Sequence, residues 1–571
     1  MADPRLARLL AGAHAGRFGR RELLHAGLRL GLASPVISAL MAAAPEGSAA
    51  AGKAAAARLP RPQEGNGGTF TALISIGTED IDPHYSYTTL SSTIALATYE
   101  MLIQYRGAST DEFEPMLAES WEVSPDQSTY TFRLVPGVAF HDGTACDAQA
   151  VKDAYTRFLL LEGSPVNVIS RFVESPDQME VVDPTTIRFN LGRPQPLFLP
   201  AMASQYGPSV VSPTAVAENR TDDDPYAHDW FAANAVGSGP YRLVENSLTE
   251  RIVLERFEEF HRGWEGNHFE RIVFRVVPEN ATRRQLLEQG EADAAAYNLT
   301  VDDVEAMRSN PDLQVVEYPT TAVSWAIMNV PRLKTKEVRQ GFSYAFPYEQ
   351  VVEGAFKGTL QRSGPIADSV RAHDPEVFLY QTDLARAKEL ILSGGFAEGE
   401  TFDYMFDAND EREQTVAQLF QANVQEMGVN LELTAVDYAT LETTILGDAP
   451  PEERPMFMGG WGWWPDYNDP WNHLAPNFTE ANIGDGGSNA GAYVNPRFEE
   501  IMAEAETYTD EARLAELMKE AQNILTEQDP PVIYYGQQVR YYVLGADIQG
   551  LVPNPLYLDA FPFYSMSRSS S

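Results

Sequence analysis

The sequence contains very little cysteine and little positive charge. One of its 571 residues is cysteine, Cys146, so neither an intramolecular disulfide nor a cysteine-rich metal centre can form. Lys and Arg number 42 against 81 Asp and Glu, which gives a formal net charge of −39. Because this charge repels phosphate groups, nucleic acid and anionic membrane surfaces are excluded as favoured partners.

Several motifs of catalysis and metal binding are also absent. The sequence has no Gly-rich phosphate loop, no Gly-x-Ser-x-Gly elbow, no His-x-x-x-His pair and no Cys-x-x-Cys. Its nine histidines are scattered without the spacing of a metal site. We therefore expect no cofactor and no metal.

The composition is that of a soluble globular protein, with 44% hydrophobic and 22% charged residues. At about 150 residues per domain, the length predicts two to four domains or lobes. Short β-rich runs alternate with helical patterns without a fixed repeat, which indicates an α/β or α+β chain.

The first sixty residues differ from the rest, since they carry eight basic and three acidic residues. Arg20-Arg21 precedes an apolar run, residues 30–44, that is too short to span a bilayer. This order resembles a twin-arginine export signal, and no cysteine follows it as a lipid-anchor site. We predict a signal segment at 1–48 and an Ala/Gly/Pro-rich linker at 49–68; the alternative is an amphipathic helix of a cytosolic protein.

Local patterns predict several elements of the following chain. Residues 69–76 alternate polar and apolar side chains as a strand does, and 90–103 show helical spacing. A hairpin is predicted from 129–134 to 138–140 around Pro136-Gly137, followed by a helix that begins at Ala148 with Asp147 as its cap.

A series of short motifs follows one order along several hundred residues. They are Tyr99–Leu102, Pro115–Trp121, Tyr130–Leu134, Pro136–Val138, Phe140–Thr144, Gly237–Tyr241, Gly290–Asp293, Met328–Pro331, Val338–Gly341, Gly395-Phe396 and Gly428-Val429. In this arrangement the chain resembles family 5 of the extracytoplasmic solute-binding proteins, the oligopeptide and dipeptide receptors of ABC importers.

The resemblance implies an α/β, two-lobed periplasmic-binding-protein fold of type II, in its large three-domain class, with a hinge that closes on ligand. Two crossover strands are implied near 324–329 and 531–535. The implied segments are lobe 1 domain I (69–105, 230–325 and 532–571), lobe 1 domain II (106–229) and lobe 2 domain III (326–531).

Residues 459–471 hold four of the eight tryptophans within eleven residues, among glycines and a proline. Glycine and proline disfavour a regular helix, so we predict an irregular loop whose indoles, Trp461, Trp463 and Trp464, line a ligand cavity. The alternative is that the tryptophans pack in the core of the second lobe.

The resemblance assigns a ligand-binding role to Asp466. In oligopeptide receptors a similar stretch, ending Asp-Tyr-Asn-acid-Pro, supplies the aspartate that pairs with the α-amino group of the ligand. The alternative is an Asx turn of Asp466 onto the backbone of Tyr467 and Asn468. Those receptors also carry an arginine just before the Gly-Trp motif, whereas Arg454, the nearest one here, lies off that pattern.

Further residues complete the predicted ligand site. Trp325 lies on the predicted crossover, with hinge packing as its alternative role, and Tyr85 and Tyr87 lie where relatives place a ligand-facing loop. The predicted set is Asp466, Trp461, Trp463, Trp464, Tyr467, Trp325, Asn329, Tyr85 and Tyr87.

The predicted function is capture of a small-molecule solute outside the cytoplasm and its delivery to the membrane permease subunits of an ABC importer. A peptide is the favoured ligand, and an oligosaccharide or another ring-bearing solute is the alternative. Two other classes are a secreted glycoside hydrolase and a sensory receptor. We expect a monomer without enzymatic activity.

Overall fold

The structure is a computed structural model, and it describes residues 67–296, 299–447, 449–484 and 487–569. The predicted signal segment, 1–48, and nearly all of the predicted linker lie outside the described residues. None of the helices in the described part of the chain is both long and apolar enough to cross a membrane.

The described residues contain nineteen β-strands. In chain order they are β1 (Thr69–Ile74), β2 (Ile103–Tyr105), β3 (Phe113–Pro115), β4 (Ala118–Val123), β5 (Thr129–Leu134), β6 (Met179–Asp183), β7 (Thr186–Asn190), β8 (Tyr241–Ser247), β9 (Arg251–Arg256), β10 (Arg271–Val276), β11 (Ala294–Ala296), β12 (Leu313–Met328), β13 (Leu360–Gln361), β14 (Thr401–Asp407), β15 (Asn430–Val436), β16 (Phe457–Trp463), β17 (Val532–Gly545), β18 (Ile548–Gln549) and β19 (Ser567–Arg568).

The same residues contain sixteen α-helices. They are α1 (Thr89–Thr98), α2 (Ala148–Leu161), α3 (Phe198–Met202), α4 (Pro213–Asn219), α5 (His228–Phe231), α6 (Asn280–Glu288), α7 (Val301–Arg308), α8 (Val330–Leu333), α9 (Lys336–Ala345), α10 (Tyr348–Gln350), α11 (Leu384–Ser393), α12 (Glu411–Glu426), α13 (Tyr438–Leu446), α14 (Pro470–Phe478), α15 (Pro496–Ala505) and α16 (Glu511–Asn523). Helices interleaved with strands confirm the predicted α/β class.

One large mixed sheet organises the fold. Its strand order is β15-β14-β16-β12-β17-β11-β1-β10-β9-β8, with β13 paired to β17. The two longest strands, β12 and β17, pair antiparallel from Leu313 opposite Gly545 to Ile327 opposite Val532. They therefore connect the part of the sheet around β1 with the part around β14 and β16.

The end of β12 is buried on both faces, because residues 320–328 are all buried. Successive side chains on a strand point to opposite faces, so Trp325 and Ile327 pack into one core while Ala326 and Met328 pack into another. The first core continues into α14, and the second contains β14 and α12.

A separate antiparallel sheet of order β4-β5-β7-β6 corrects the predicted hairpin. Strand β5 pairs with β4 and β7, and residues 138–140 form no strand, although Ala139 makes an isolated bridge to Ala145. The predicted cap is confirmed, since Asp147 Oδ1 accepts a hydrogen bond from the Ala150 amide at 3.0 Å. The hairpin prediction was wrong because nearness in sequence does not decide which strands pair.

Two further predictions need correction. Helix α1 ends at Thr98, and residues 103–105 form β2, so the predicted helix 90–103 was too long. Residues 459–471 were predicted as an irregular loop, yet residues 459–463 belong to β16 (Phe457–Trp463) of the main sheet, and only 464–469 lie outside helices and strands before α14. Glycine is needed there because a Cβ at Gly459 would overlap the Tyr404 hydroxyl on the neighbouring strand.

A buried ion pair positions the loop between β1 and α1. Arg157 on α2 contacts Asp82 through two hydrogen bonds, Nη1 to Oδ1 at 2.9 Å and Nη2 to Oδ2 at 2.5 Å. The two side chains are 3% and 0% exposed. Arg157 Nε also donates to the Tyr226 carbonyl at 2.8 Å, so α2 holds both this loop and the segment before α5.

Candidate functional site

Two of the predicted ligand-binding residues are in direct contact. Tyr87 lies in the loop between β1 and α1, and Asp466 lies between β16 and α14, a stretch (residues 464–469) that we call the Asp466 segment. The Tyr87 hydroxyl donates a hydrogen bond to the Asp466 carboxylate. The Tyr87 ring is 38% exposed and stacks on Tyr206, with ring centroids 4.1 Å apart.

The Asp466 carboxylate is partly buried, and no cationic side chain of the described residues pairs with it. Burial raises the pKa of Asp466 to about 6, while the hydrogen bonds from Tyr87 and Asn472 act in the opposite direction. The Asp466 amide donates to Asn472 Oδ1 at 2.7 Å, which fixes the segment against α14. The proposed Asx turn onto Asn468 is not formed, because the Asn468 amide donates to the Tyr105 hydroxyl at 3.3 Å.

Three of the predicted tryptophans lie on paired strands. Trp461 and Trp463 are two residues apart on β16, so they point to the same face, and their cross-strand partners on β12 are Trp325 and Val323. Trp463 Nε1 donates to the Asn472 carbonyl at 2.8 Å. Trp325 is 2% exposed, with ring centroids 6.1 Å from both Phe478 and Tyr534, so it packs in the core.

The other predicted residues occupy different surroundings. Trp464 is 39% exposed, whereas Tyr467 is buried with its ring 6.2 Å from Phe172. The Tyr85 ring lies against the His228 ring, with centroids 3.9 Å apart and planes tilted by 34°, and Tyr85 makes no hydrogen bond with Asp466. Asn329 is buried apart from this group, where its Nδ2 donates to the carbonyls of residues 451, 454 and 455 at 2.6 to 3.3 Å.

The acidic neighbour Asp469 is fully engaged in structural contacts. Its Oδ1 caps α14 by accepting from the Trp471 amide at 2.8 Å, and its Oδ2 pairs with Arg371 at 2.8 Å. A glycoside hydrolase needs two carboxylates that flank a bond, one of them available as an acid. Asp466 and Asp469 do not provide such a pair.

Sequence reasoning missed three residues of this region. Tyr206 supports the Tyr87 ring, Asn472 holds the Asp466 segment, and Arg171 lies over the Trp471 ring with its guanidinium carbon 3.6 Å from the ring centroid. Asn472 lies just after the recognised motif, so the sequence offered a weak signal for it. Tyr206 and Arg171 can be identified only from the tertiary contacts of the structure. Among the described residues, no three histidine, cysteine or acidic side chains are grouped to hold a metal ion.

Comparison with known proteins identifies the family of the chain. The profile of the bacterial extracellular solute-binding proteins, family 5 middle region, matches residues 112–485. The chain is 26% identical over 501 residues to the probable D,D-dipeptide-binding periplasmic protein DdpA of Escherichia coli (strain K12), covering 86% of this chain and 92% of that protein. It is 27% identical over 486 residues to the heme-binding protein A of Haemophilus influenzae, covering 81% and 86%.

A solved structure shows the same fold. The ABC transporter substrate-binding protein CtaP of Listeria monocytogenes superposes with a TM-score of 0.77 at 23% identity, over 88% of this chain and 100% of that one. The predicted type II periplasmic-binding-protein fold is thereby confirmed.

Proposed function

The chain belongs to family 5 of the bacterial extracellular solute-binding proteins, the capture subunits of ABC importers, and on that premise we propose that its ligand is a short peptide. The peptide binds where the Asp466 segment meets the loop carrying Tyr87, with its amino terminus on the Asp466 carboxylate. The protein then delivers it to the membrane permease subunits.

The observation that carries this proposal is the carboxylate of Asp466. A carboxylate withdrawn from water needs a charged or hydrogen-bonding partner, and here it has the Tyr87 hydroxyl but no cation of the described residues. The ammonium group of a peptide supplies the missing charge in a charge-assisted hydrogen bond. The name of the Escherichia coli relative, a D,D-dipeptide-binding protein, supports the same ligand class.

A ring-bearing ligand is the second candidate, and the exposed residue Trp464, two positions before Asp466 in the chain, favours it. Trp464 is 39% exposed, which leaves a face for stacking on a sugar or another ring. One of the similar proteins is named a heme-binding protein, so the names of the relatives are not limited to peptide ligands. This ligand would depend on the indole and not on the charge of Asp466.

Calorimetric titration of the purified protein with a peptide panel and an oligosaccharide panel tests the proposal. Mass spectrometry of gently extracted, co-purified ligand adds an independent identification. Binding of free-amine peptides, with loss of binding after acetylation of the amine, is the expected result. Binding of oligosaccharides alone would contradict it.

The affinity for a peptide amine should fall as the pH is lowered through about 6. The carboxylate form of Asp466 binds the ammonium, and its pKa is raised to about 6 by burial. The amine, whose pKa is about 7.7 to 8.0, stays mostly protonated from pH 5 to 7.5, so most of the change follows Asp466. We expect roughly tenfold weaker binding at pH 5 than at pH 7.5, measured by calorimetry. Equal loss in the Asp466→Asn variant would show that another group titrates.

We also propose that the N-terminal segment, 1–48, is a twin-arginine signal that exports the folded protein. Replacing Arg20 and Arg21 with lysine should retain the precursor in the cytosol, because the paired arginines are the recognised feature. Immunoblots of cytosolic and extracytoplasmic fractions measure this. An unchanged amount of mature protein outside the cytosol would show that export uses another route.

A further inference from the structure

His228, the first residue of α5, lies between two carboxylates of the loop that joins β1 to α1. Its Nδ1 is 3.3 Å from Asp82 Oδ2, and its Nε2 is 3.4 Å from Asp80 Oδ2. A neutral imidazole carries one N–H, so it would turn the lone pair of its other nitrogen toward a carboxylate. The imidazolium form has two N–H groups and matches both contacts. The ring is therefore suited to its surroundings as a cation.

The charged groups around this ring come from three parts of the chain. From α2, Arg157 pairs with Asp82, whereas the described residues give Asp80 no ion-pair partner besides His228. Before α5, Asp224 Oδ1 accepts a hydrogen bond from the His228 amide at 2.9 Å. The hydrogen bond with Asp82 and the charge of Asp80 raise the pKa of His228 above its ordinary value of 6.5. Burial and the charge of Arg157 act in the opposite direction.

The same loop carries a tyrosine that contacts Asp466. The Asp82 carbonyl accepts from the Tyr85 amide at 3.1 Å, which folds the chain into a turn just before Tyr87. The Tyr85 ring lies 3.9 Å from the His228 ring, where an aromatic face favours a cation. The Tyr87 hydroxyl in turn donates to the Asp466 carboxylate. His228 therefore supports the turn that brings Tyr87 to Asp466.

We propose that protonated His228 is a positioning residue for the ligand site, because it holds the loop of residues 75–88 so that Tyr87 reaches Asp466. Folding raises the pKa of this histidine, so its contribution is present at low pH and is lost as the pH rises through that pKa. Above it, Asp80 loses its cation, the loop loosens and the ligand binds more weakly. The statement about the ligand rests on the proposed function, and the statement about the loop does not.

Two other contacts of the loop stay the same as His228 titrates. Arg157 remains charged and keeps its ion pair with Asp82. His84 is buried with its Nε2 2.7 Å from the Ser209 carbonyl oxygen, and burial lowers its pKa to about 3, so it stays neutral. The loop therefore remains attached at high pH and loosens around Asp80, so we expect a moderate effect and no unfolding.

Hydrogen exchange of the unliganded protein, read by mass spectrometry between pH 6.5 and 8.5, tests the loop directly. After correction for the chemical exchange rate, wild-type segments from residues 75–88 should exchange about threefold faster or more at pH 8.5. His228→Gln should show the fast exchange already at pH 6.5, because it has no charge to lose. His261→Gln is the matched control, since His261 also pairs with a carboxylate, Glu100 at 2.9 Å, outside this loop. It should keep the wild-type pH dependence.

Calorimetry with trialanine, on wild type and His228→Gln, measures the effect on the ligand site. The ratio of the two dissociation constants cancels the titration of the peptide amine and of Asp466, because both proteins share them. We expect His228→Gln to bind roughly three- to tenfold more weakly than wild type at pH 6.5, and about equally at pH 8.5.

Several outcomes would overturn the inference. Exchange of the wild-type loop that does not change with pH would do so without any variant. A pH dependence that persists in His228→Gln would belong to another group, such as Glu413, whose pKa burial raises to about 8. Equal affinities at pH 6.5 would show that the loop contact does not reach the ligand site. If trialanine binds neither protein, the peptide function is contradicted, and the exchange measurement still decides the role of His228.

Discussion

Replacing Asp466 with alanine is expected to weaken the binding of a free-amine peptide by about 2 to 5 kcal/mol, or roughly 30- to 5,000-fold. The loss is large because the variant leaves the ligand ammonium in a partly buried site with no carboxylate. Most of the loss should appear in the dissociation rate, since the contact forms after encounter. Calorimetry and stopped-flow fluorescence of the nearby tryptophans measure the two quantities.

Two variants separate charge from hydrogen bonding at Asp466. Tyr87→Phe removes the same inter-loop hydrogen bond but keeps the carboxylate, so it should cost no more than about 1.5 kcal/mol. Asp466→Asn keeps an amide of the same shape without the charge, so it should weaken a peptide strongly and leave a neutral sugar nearly unaffected. If Asp466→Asn binds free-amine peptides as wild type does, the ammonium role of Asp466 is wrong.

Local signals in the sequence predicted the elements that depend on neighbouring residues. The alternation of residues 69–76 gave β1, and Asp147 before an amphipathic run gave the start of α2. Both features are decided within a few residues, by side-chain periodicity and by a cap that satisfies free amide groups. The end of α1 was missed because a helix stop without glycine or proline depends on tertiary packing.

The Gly-Trp segment shows where local signals are misleading. Glycine and proline disfavour a regular helix, so residues 459–471 were predicted to form an irregular loop. The strand forms because Gly459 allows close packing against Tyr404, a contact between distant parts of the chain. The position of Asp466 was reached through the family motif, and its partner Tyr87 through the same resemblance, but their contact required the fold.

The contacts of Arg171 could not be predicted from the sequence, since this residue belongs to none of its motifs. Its partners, Trp471 and Glu506, are about three hundred residues further along the chain, and neither pattern nor composition connects them. Charge counting alone predicts only an acidic surface. The contacts of Arg171 with Trp471 and Glu506 are therefore a property that the fold produces.

Replacing Asp82 with alanine is expected to lower the free energy of unfolding by about 3 to 5 kcal/mol. The change leaves the Arg157 guanidinium buried without its carboxylate, and both side chains are almost fully buried in the wild-type structure. Urea denaturation followed by circular dichroism measures the loss. The surface pair of Glu245 and Arg251 is the control, because its side chains are 40% and 49% exposed and Glu245→Gln should cost under about 1 kcal/mol.

The double variant Asp82→Ala with Arg157→Met tests whether the cost comes from the unpaired charge. A methionine in place of Arg157 removes the buried cation and keeps much of its apolar volume, so the double variant should regain stability relative to Asp82→Ala alone.

Although burial raises the pKa of Asp82, the hydrogen bonds from Arg157 and His228 lower it well below its usual range. The pair therefore stabilises the fold fully above about pH 4, and this contribution is lost as the pH falls further.

A double variant that is less stable than Asp82→Ala would show that Arg157 stabilises the fold mainly through the Tyr226 carbonyl and the Phe231 ring, and that Asp82 is secondary.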